Sequence, residues 1–229
     1  MKATDRIKHL FSKEFVKDFS ILLSGTVLAS LLPLIFSPLI SRLFTPEQFG
    51  VLGIVTAVAG ILGNIAGGRY ELAIMLPKRE NDSKHLVWLV VLLSLAFSAI
   101  FFTIGFPFYD DILNYFNLDH IGNIGFVIPL LVVFIALQKA FTYWLNRNRF
   151  YQSSATGKVI QGLSVSLFTL VLGLLSVDNG LIVGYTIGWG LFVASLTFFS
   201  MRKGFGDFKL YKNELFKVAK DYSSFPRWN

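Results

Sequence analysis

The chain has 229 residues, 54% hydrophobic and only 15% charged, with a net charge of +7 and a mean hydropathy of +0.60. A soluble domain carries about a quarter charged residues, so a soluble globular protein is excluded. Apolar runs near the ~20 residues that a bilayer core requires make it an all-α, polytopic membrane protein. The absence of cysteine excludes disulfides, a thiolate nucleophile and cysteine-ligated metal.

Residues 1–18 are basic, with Lys2, Arg6, Lys8, Lys13 and Lys17, and carry apolar residues at helical spacing. That pattern predicts an interfacial amphipathic helix. Span one covers residues 19–40. Pro33 and Pro38 kink or break its second half, and Gly25 and Ala29 form a small-xxx-small step for close helix contact. Thr45 then offers a helix N-cap, Pro46 suits the first helical position, and Glu47 and Gln48 favour the first turn. Span two runs over residues 46–76, longer than one crossing needs. Tilt, a break at Gly67-Gly68, or extension into the cytoplasm absorbs the excess. Gly53, Thr56, Ala57, Gly60, Gly63, Asn64 and Gly67 share one face of it, suited to tight packing or to lining a lumen.

After a polar loop, span three (residues 86–107) is almost featureless and reads as lipid-facing, with Trp88 near an interface. An acidic connection, FYDDILNYFNLDH, leads to span four (residues 121–145). Lys139, Thr142, Tyr143 and Asn146 lie there at i, i+3, i+4 and i+7, a polar stripe on an apolar helix that reads as lining a substrate-binding lumen, against interhelical hydrogen bonding plus an interface anchor. Span five (residues 159–176) follows a basic loop and carries Gln161 and Ser164, expected as interhelical hydrogen-bonding groups. Span six (residues 181–200) has Gly184 and Gly188 as a packing face. Residues 201–229 form a basic amphipathic segment.

The basic residues alternate by side. Lys78, Arg79 and Lys84, then Arg147, Arg149 and Lys158, join both termini on one side, against only Arg42 on the other. The positive-inside rule places both termini in the cytoplasm. Such charges flank spans rather than line a nucleic-acid groove, so nucleic acid is no expected partner.

The residues that call for explanation are Arg69 and Glu71. Arg69 lies nine residues before the membrane edge at Lys78, ~13 Å of helix. Ionisable groups at such depth are costly and mark substrate or ion paths by default. On a regular helix the two lie about 200° apart and do not face each other. Lys139, at matching depth, is the expected partner of Glu71, leaving Arg69 free for an anion; the competing reading is a structural ion pair with a snorkelling Arg. Asn64 is an interhelical or lumen group, and Arg42 an interfacial anchor. The three histidines fall on two sides of the membrane, and no nucleophile–base pair or phosphate-cradling glycine loop is found, so neither catalysis nor a metal site is expected.

Two segments carry a resemblance. Residues 41–53, SRLFTPEQFGVLG, and 67–78, GGRYELAIMLPK, resemble the junction of the first two spans and the end of the second in bacterial polysaccharide flippases. These belong to the superfamily of multidrug, oligosaccharidyl-lipid and polysaccharide exporters. The resemblance implies one six-helix bundle of a two-bundle transporter in the bacterial inner membrane. It also implies an undecaprenyl-diphosphate-linked oligosaccharide as substrate, destined for lipopolysaccharide, capsule or exopolysaccharide. Transport would proceed by alternating access, with H+ or Na+ as coupling ion and no cofactor. Membrane lipid, a second bundle or second copy, and polysaccharide polymerase machinery are the implied partners. Arg69 and Glu71 match the family's Arg-Tyr-Glu segment. The chain stops where the family's second bundle would begin, so it reads as an N-terminal half or a dimerising half-size protein. The rival expectations are a drug or cation exporter of the same superfamily, and a non-transporting scaffold of a polysaccharide-synthesis complex.

Overall fold

The computed structural model describes residues 13–109, 111 and 125–225. Among the described residues eight α-helices follow in chain order: α1 (Lys13–Leu43), α2 (Pro46–Ala66), α3 (Tyr70–Ala73), α4 (Glu80–Gly105), α5 (Val127–Arg147), α6 (Tyr151–Leu174), α7 (Gly180–Ser200) and α8 (Lys212–Asp221). A 3-10 turn, Phe106–Phe108, extends α4, and a π-helical turn, Met201–Phe205, extends α7. Six of these segments are long and apolar enough to cross a membrane. All-helical spanning segments are what lipid demands, since each backbone N–H and C=O must be satisfied within its own helix. Large apolar side chains such as Leu34 and Ile35 on α1 and Ile104 on α4 remain exposed on the outside of the bundle.

The expected amphipathic helix at the N-terminus falls mostly on residues 1–12, outside the described residues. From Lys13 onward the chain already belongs to α1, which runs without interruption through Pro33 and Pro38 to Leu43. Those prolines therefore do not break it. The expected acidic connection lies largely outside the described residues as well. Two other boundaries differ from expectation. α6 begins at Tyr151, so most of the basic loop expected before residue 159 is helix, and α4 starts at Glu80 rather than near 86.

The small-residue steps act as the sequence predicts. Gly25 of α1 lies against Ala155 of α6, and a methyl placed at Gly162 would overlap the backbone carbonyl of Ala29. Gly184 and Gly188 of α7 meet Thr169 and Val165 of α6 just as closely. Without a hydrophobic drive between helices in lipid, such close van der Waals packing is what associates them. α1 leans almost wholly on α6, while α5 sits against α2, α4 and α7.

Two apolar clusters hold the bundle. One joins α2, α5 and α7 around Val55, Leu131, Val132 and Ile182. The other, at the opposite end, gathers Ile74, Leu86, Trp144, Leu196, Phe205 and Val218. Leu86, Val87 and Val90 of α4 are fully buried, and Ser98 donates to the carbonyl of Pro129. α4 is thus not simply lipid-facing; its first half builds the core, because its side chains meet α5 and α8.

Candidate functional site

Thr45 caps α2 as expected: its hydroxyl accepts from the Gln48 N–H, and the Gln48 side chain accepts from the Thr45 N–H, a complete capping box with Pro46 at the first position. At its other end α2 stops at Ala66. Gly67 closes it, Gly68 has φ 60° and Arg69 φ 59°, and the one-turn helix α3 follows. Of the three ways to absorb the long span, the break at Gly67-Gly68 is the one found. Glycine takes a positive φ freely, whereas an arginine there is strained, a cost of order 1–3 kcal/mol that surrounding structure must offset.

The surrounding structure does so at three points. The Arg147 guanidinium, at the end of α5, donates to the carbonyls of Ile74 (3.4 Å), Met75 (3.0 Å) and Pro77, closing the turn behind α3. The Tyr70 hydroxyl donates to the Ala219 carbonyl of α8 (3.0 Å). Beside them, buried Lys84 donates to the Gly204 carbonyl (2.5 Å) and pairs with Glu80 (3.2 Å), and His85 accepts from the Tyr211 N–H while its ring meets Phe208 edge-on. Sequence reasoning placed Arg147 and Lys84 only among topology signals. Their acceptors are backbone carbonyls, which leave no residue-type signature.

The break also decides where the charged groups go. Asn64, Arg69, Glu71 and Lys139 come together around the end of α2. The Lys139 ammonium donates to Asn64 Oδ1, linking α5 to α2. It lies in the electrostatic reach of both Glu71 and Arg69, yet forms no ion pair with Glu71. Lys139 thus hydrogen-bonds Asn64 directly and meets Glu71 only through electrostatic attraction. The reason is the left-handed turn: it takes Glu71 off the helical register of α2 and sets its Oε2 over Gly67, where a Cβ would come within 3.1 Å. Glu71 is 4% exposed, and neither its Oε2 nor the Nε of Arg69 has a hydrogen-bond partner among the described residues.

The stripe on α5 divides. Thr142 accepts from the Gln138 side chain (3.3 Å), Tyr143 packs against the cluster around Trp144, and Asn146 Oδ1 is buried without a partner. Only Lys139 of the four reaches the charged cluster. On α2, the small-residue face is open at Gly53, Ala57 and Asn64, which are exposed, and closed at Gly63, where Ile135 fills the space. Ser164 bonds across to the Gly188 carbonyl (3.3 Å) as expected of an interhelical group. Gln161 does not; its side chain makes no hydrogen bond among the described residues and faces a cavity.

An all-helical, multi-pass bundle with two cations, a buried carboxylate and an amide at depth, beside an open face of small residues, has the organisation of a membrane transporter. The chain belongs to the polysaccharide biosynthesis protein family, whose model matches residues 15–213 and so takes in all six long helices. That family is one of transporters rather than enzymes. No curated protein and no solved structure matches the chain.

Proposed function

We propose that the chain is one bundle of a flippase that carries undecaprenyl-diphosphate-linked oligosaccharide across the bacterial inner membrane by alternating access. The carrying observation is the cationic cluster: Lys139, held on Asn64, and Arg69, held in a strained turn with its Nε unpaired. These two cations outnumber the single Glu71 carboxylate beside them, and the surplus positive charge is expensive at membrane depth unless a further anion completes it. Arg offers a rigid fork of donors that matches phosphate oxygens. The open face of α2 through Gly53, Ala57 and Asn64 forms one wall of the lumen, and a second bundle or a second copy supplies the other. Lys84, Arg147 and α8 face the cytoplasm, by the positive-inside distribution.

Glu71 is the only buried carboxylate among the described residues, and it is the group assigned to meet the coupling ion, H+ or Na+. Its Oε2 has no hydrogen-bond partner among the described residues, a costly state for a buried carboxyl oxygen that a bound proton or cation would relieve.

The test is polymer export in cells that depend on this chain. Arg69→Ala and Lys139→Ala abolish export while the protein remains expressed and inserted, and Glu71→Gln leaves binding of farnesyl diphosphate intact but removes the response to an imposed ion gradient. Export at the wild-type level in both cation variants would refute the flippase reading and favour a scaffold.

A further inference from the structure

A second polar constellation lies beside the charged cluster, in an open-sided cavity of about 480 Å³ lined by α1, α5, α6 and α7. Its size is within the ~300–1,000 Å³ range of small-molecule sites. Gln138 of α5, Lys158 and Gln161 of α6, and Ser30 of α1 supply its polar lining; Tyr185 and Trp189 of α7 supply its aromatic wall, with ring centroids 6.1 Å apart. Lys158 donates to the Thr26 hydroxyl across to α1 (3.0 Å). Among the described residues, Gln138 uses its amide nitrogen on Thr142 and leaves its oxygen unengaged, and Gln161 engages neither atom. An amide with no partner in a membrane interior is costly.

We propose that this cavity is a glycosyl-binding subsite, which receives a sugar ring of the transported head group. A pyranose carries hydroxyls around its edge and C–H bonds on its faces. The amide oxygen of Gln138 and both amide groups of Gln161 match hydroxyl donors and acceptors. The ring faces of Tyr185 and Trp189 carry the negative quadrupole that attracts C–H hydrogens. An acyl chain would leave those amides unsatisfied, and a diphosphate would meet a single, already engaged lysine.

The geometry also fits the covalent structure of a sugar diphosphate. Gln138 and Lys139 are consecutive on α5 and therefore at one depth, but point about 100° apart. Lys139 faces Asn64 on α2, whereas Gln138 faces the cavity toward α1. One head group wrapped around this side of α5 thus meets cations with its diphosphate and amides with its sugar. The assignment rests on the reading that such a head group enters the bundle.

The experiment uses the full chain in nanodiscs of phosphatidylethanolamine and phosphatidylglycerol. Glucose, galactose, N-acetylglucosamine and glucuronate are probed by saturation-transfer NMR, and farnesyl diphosphate binding is measured in parallel. The wild-type protein transfers saturation to the ring C–H protons of at least one sugar. Gln161→Leu and Ser30→Leu lower that signal at least fivefold and keep farnesyl diphosphate binding, which shows that they are folded. The accompanying change in tryptophan emission disappears in Trp189→Phe, which leaves the other three tryptophans in place. No sugar response in the wild-type protein, or an undiminished one in both leucine variants, overturns the subsite. Loss of farnesyl diphosphate binding by Lys139→Ala supports the cationic lumen separately. If the wild-type chain binds sugar but not farnesyl diphosphate, the lumen reading fails and the subsite stands.

Discussion

Replacing Arg147 by lysine separates two roles that one residue plays. Lysine keeps the positive charge that orients the membrane topology, but it has no planar fork. In the structure, the fork reaches the carbonyls of Ile74, Met75 and Pro77 at once. A lysine ammonium in the same place keeps one of these bonds and loses two. Hydrogen bonds to charged groups contribute ~1.5–3 kcal/mol each when well shielded. At this half-buried position the two lost bonds together amount to about 2 kcal/mol, a roughly 30-fold rise in local opening. Hydrogen–deuterium exchange across residues 70–78 reads it directly: Arg147→Lys accelerates exchange there about 30-fold and leaves the amides of α7 unchanged. Arg147→Ala, which loses all three bonds, does so more strongly. If the turn that carries Arg69 and Glu71 depends on this clamp, Arg147→Lys also lowers export. Exchange in Arg147→Lys indistinguishable from wild type would refute the clamp and return Arg147 to a topology signal alone.

Further outcomes follow from the same contacts. Gly162→Ala forces α1 away from α6, because the added methyl overlaps the Ala29 carbonyl; such overpacking costs ~1–3 kcal/mol. Gly60→Ala, with nothing within 4 Å of the new methyl, gains ~0.5–1 kcal/mol of helix stability. Reversible unfolding in mixed micelles measures both, and equal midpoints would contradict the packing argument. Tyr70→Phe removes the bond to the Ala219 carbonyl, worth ~1 kcal/mol. It raises trypsin cleavage at the lysines of α8 roughly fivefold, and unchanged cleavage would mean that α8 is held by its apolar face alone. Thr45→Ala removes the cap of α2 at a cost of ~1 kcal/mol, read as a lower melting temperature that Thr45→Ser restores.

Much of the scaffold was legible because membrane folding obeys one-dimensional rules. Apolar runs announce spans, and the Thr45-Pro46 start of α2 follows from backbone groups that any helix leaves unpaired. The packing glycines were legible for a similar reason. Gly25, Gly184 and Gly188 stand at spacings that have meaning only as a helix face, and each meets α6 closely. Arg69, Glu71 and Lys139 stood out as ions too deep to be incidental, and the structure does gather them. Their pairing was not legible. It depended on which of three ways the long second span would shorten, and only the left-handed turn at Gly68 and Arg69 removed Glu71 from the register that pattern reasoning assumed. The cavity lined by Gln138 and Gln161 was hidden too, since its lining comes from four helices and no member of it is unusual alone.

The sequence by itself determined the class of protein, the number of long helices and the presence of charge at membrane depth. Each of these follows from the composition of a local stretch set against the fixed thickness and low polarity of a bilayer. The tertiary structure alone decided that Lys139 pairs with Asn64, that the Oε2 of Glu71 is buried with no hydrogen-bond partner among the described residues, and that Arg147 closes the turn between α3 and α4. Those outcomes belong to distances between helices, and a backbone carbonyl or an open cavity has no letter in the sequence to announce it.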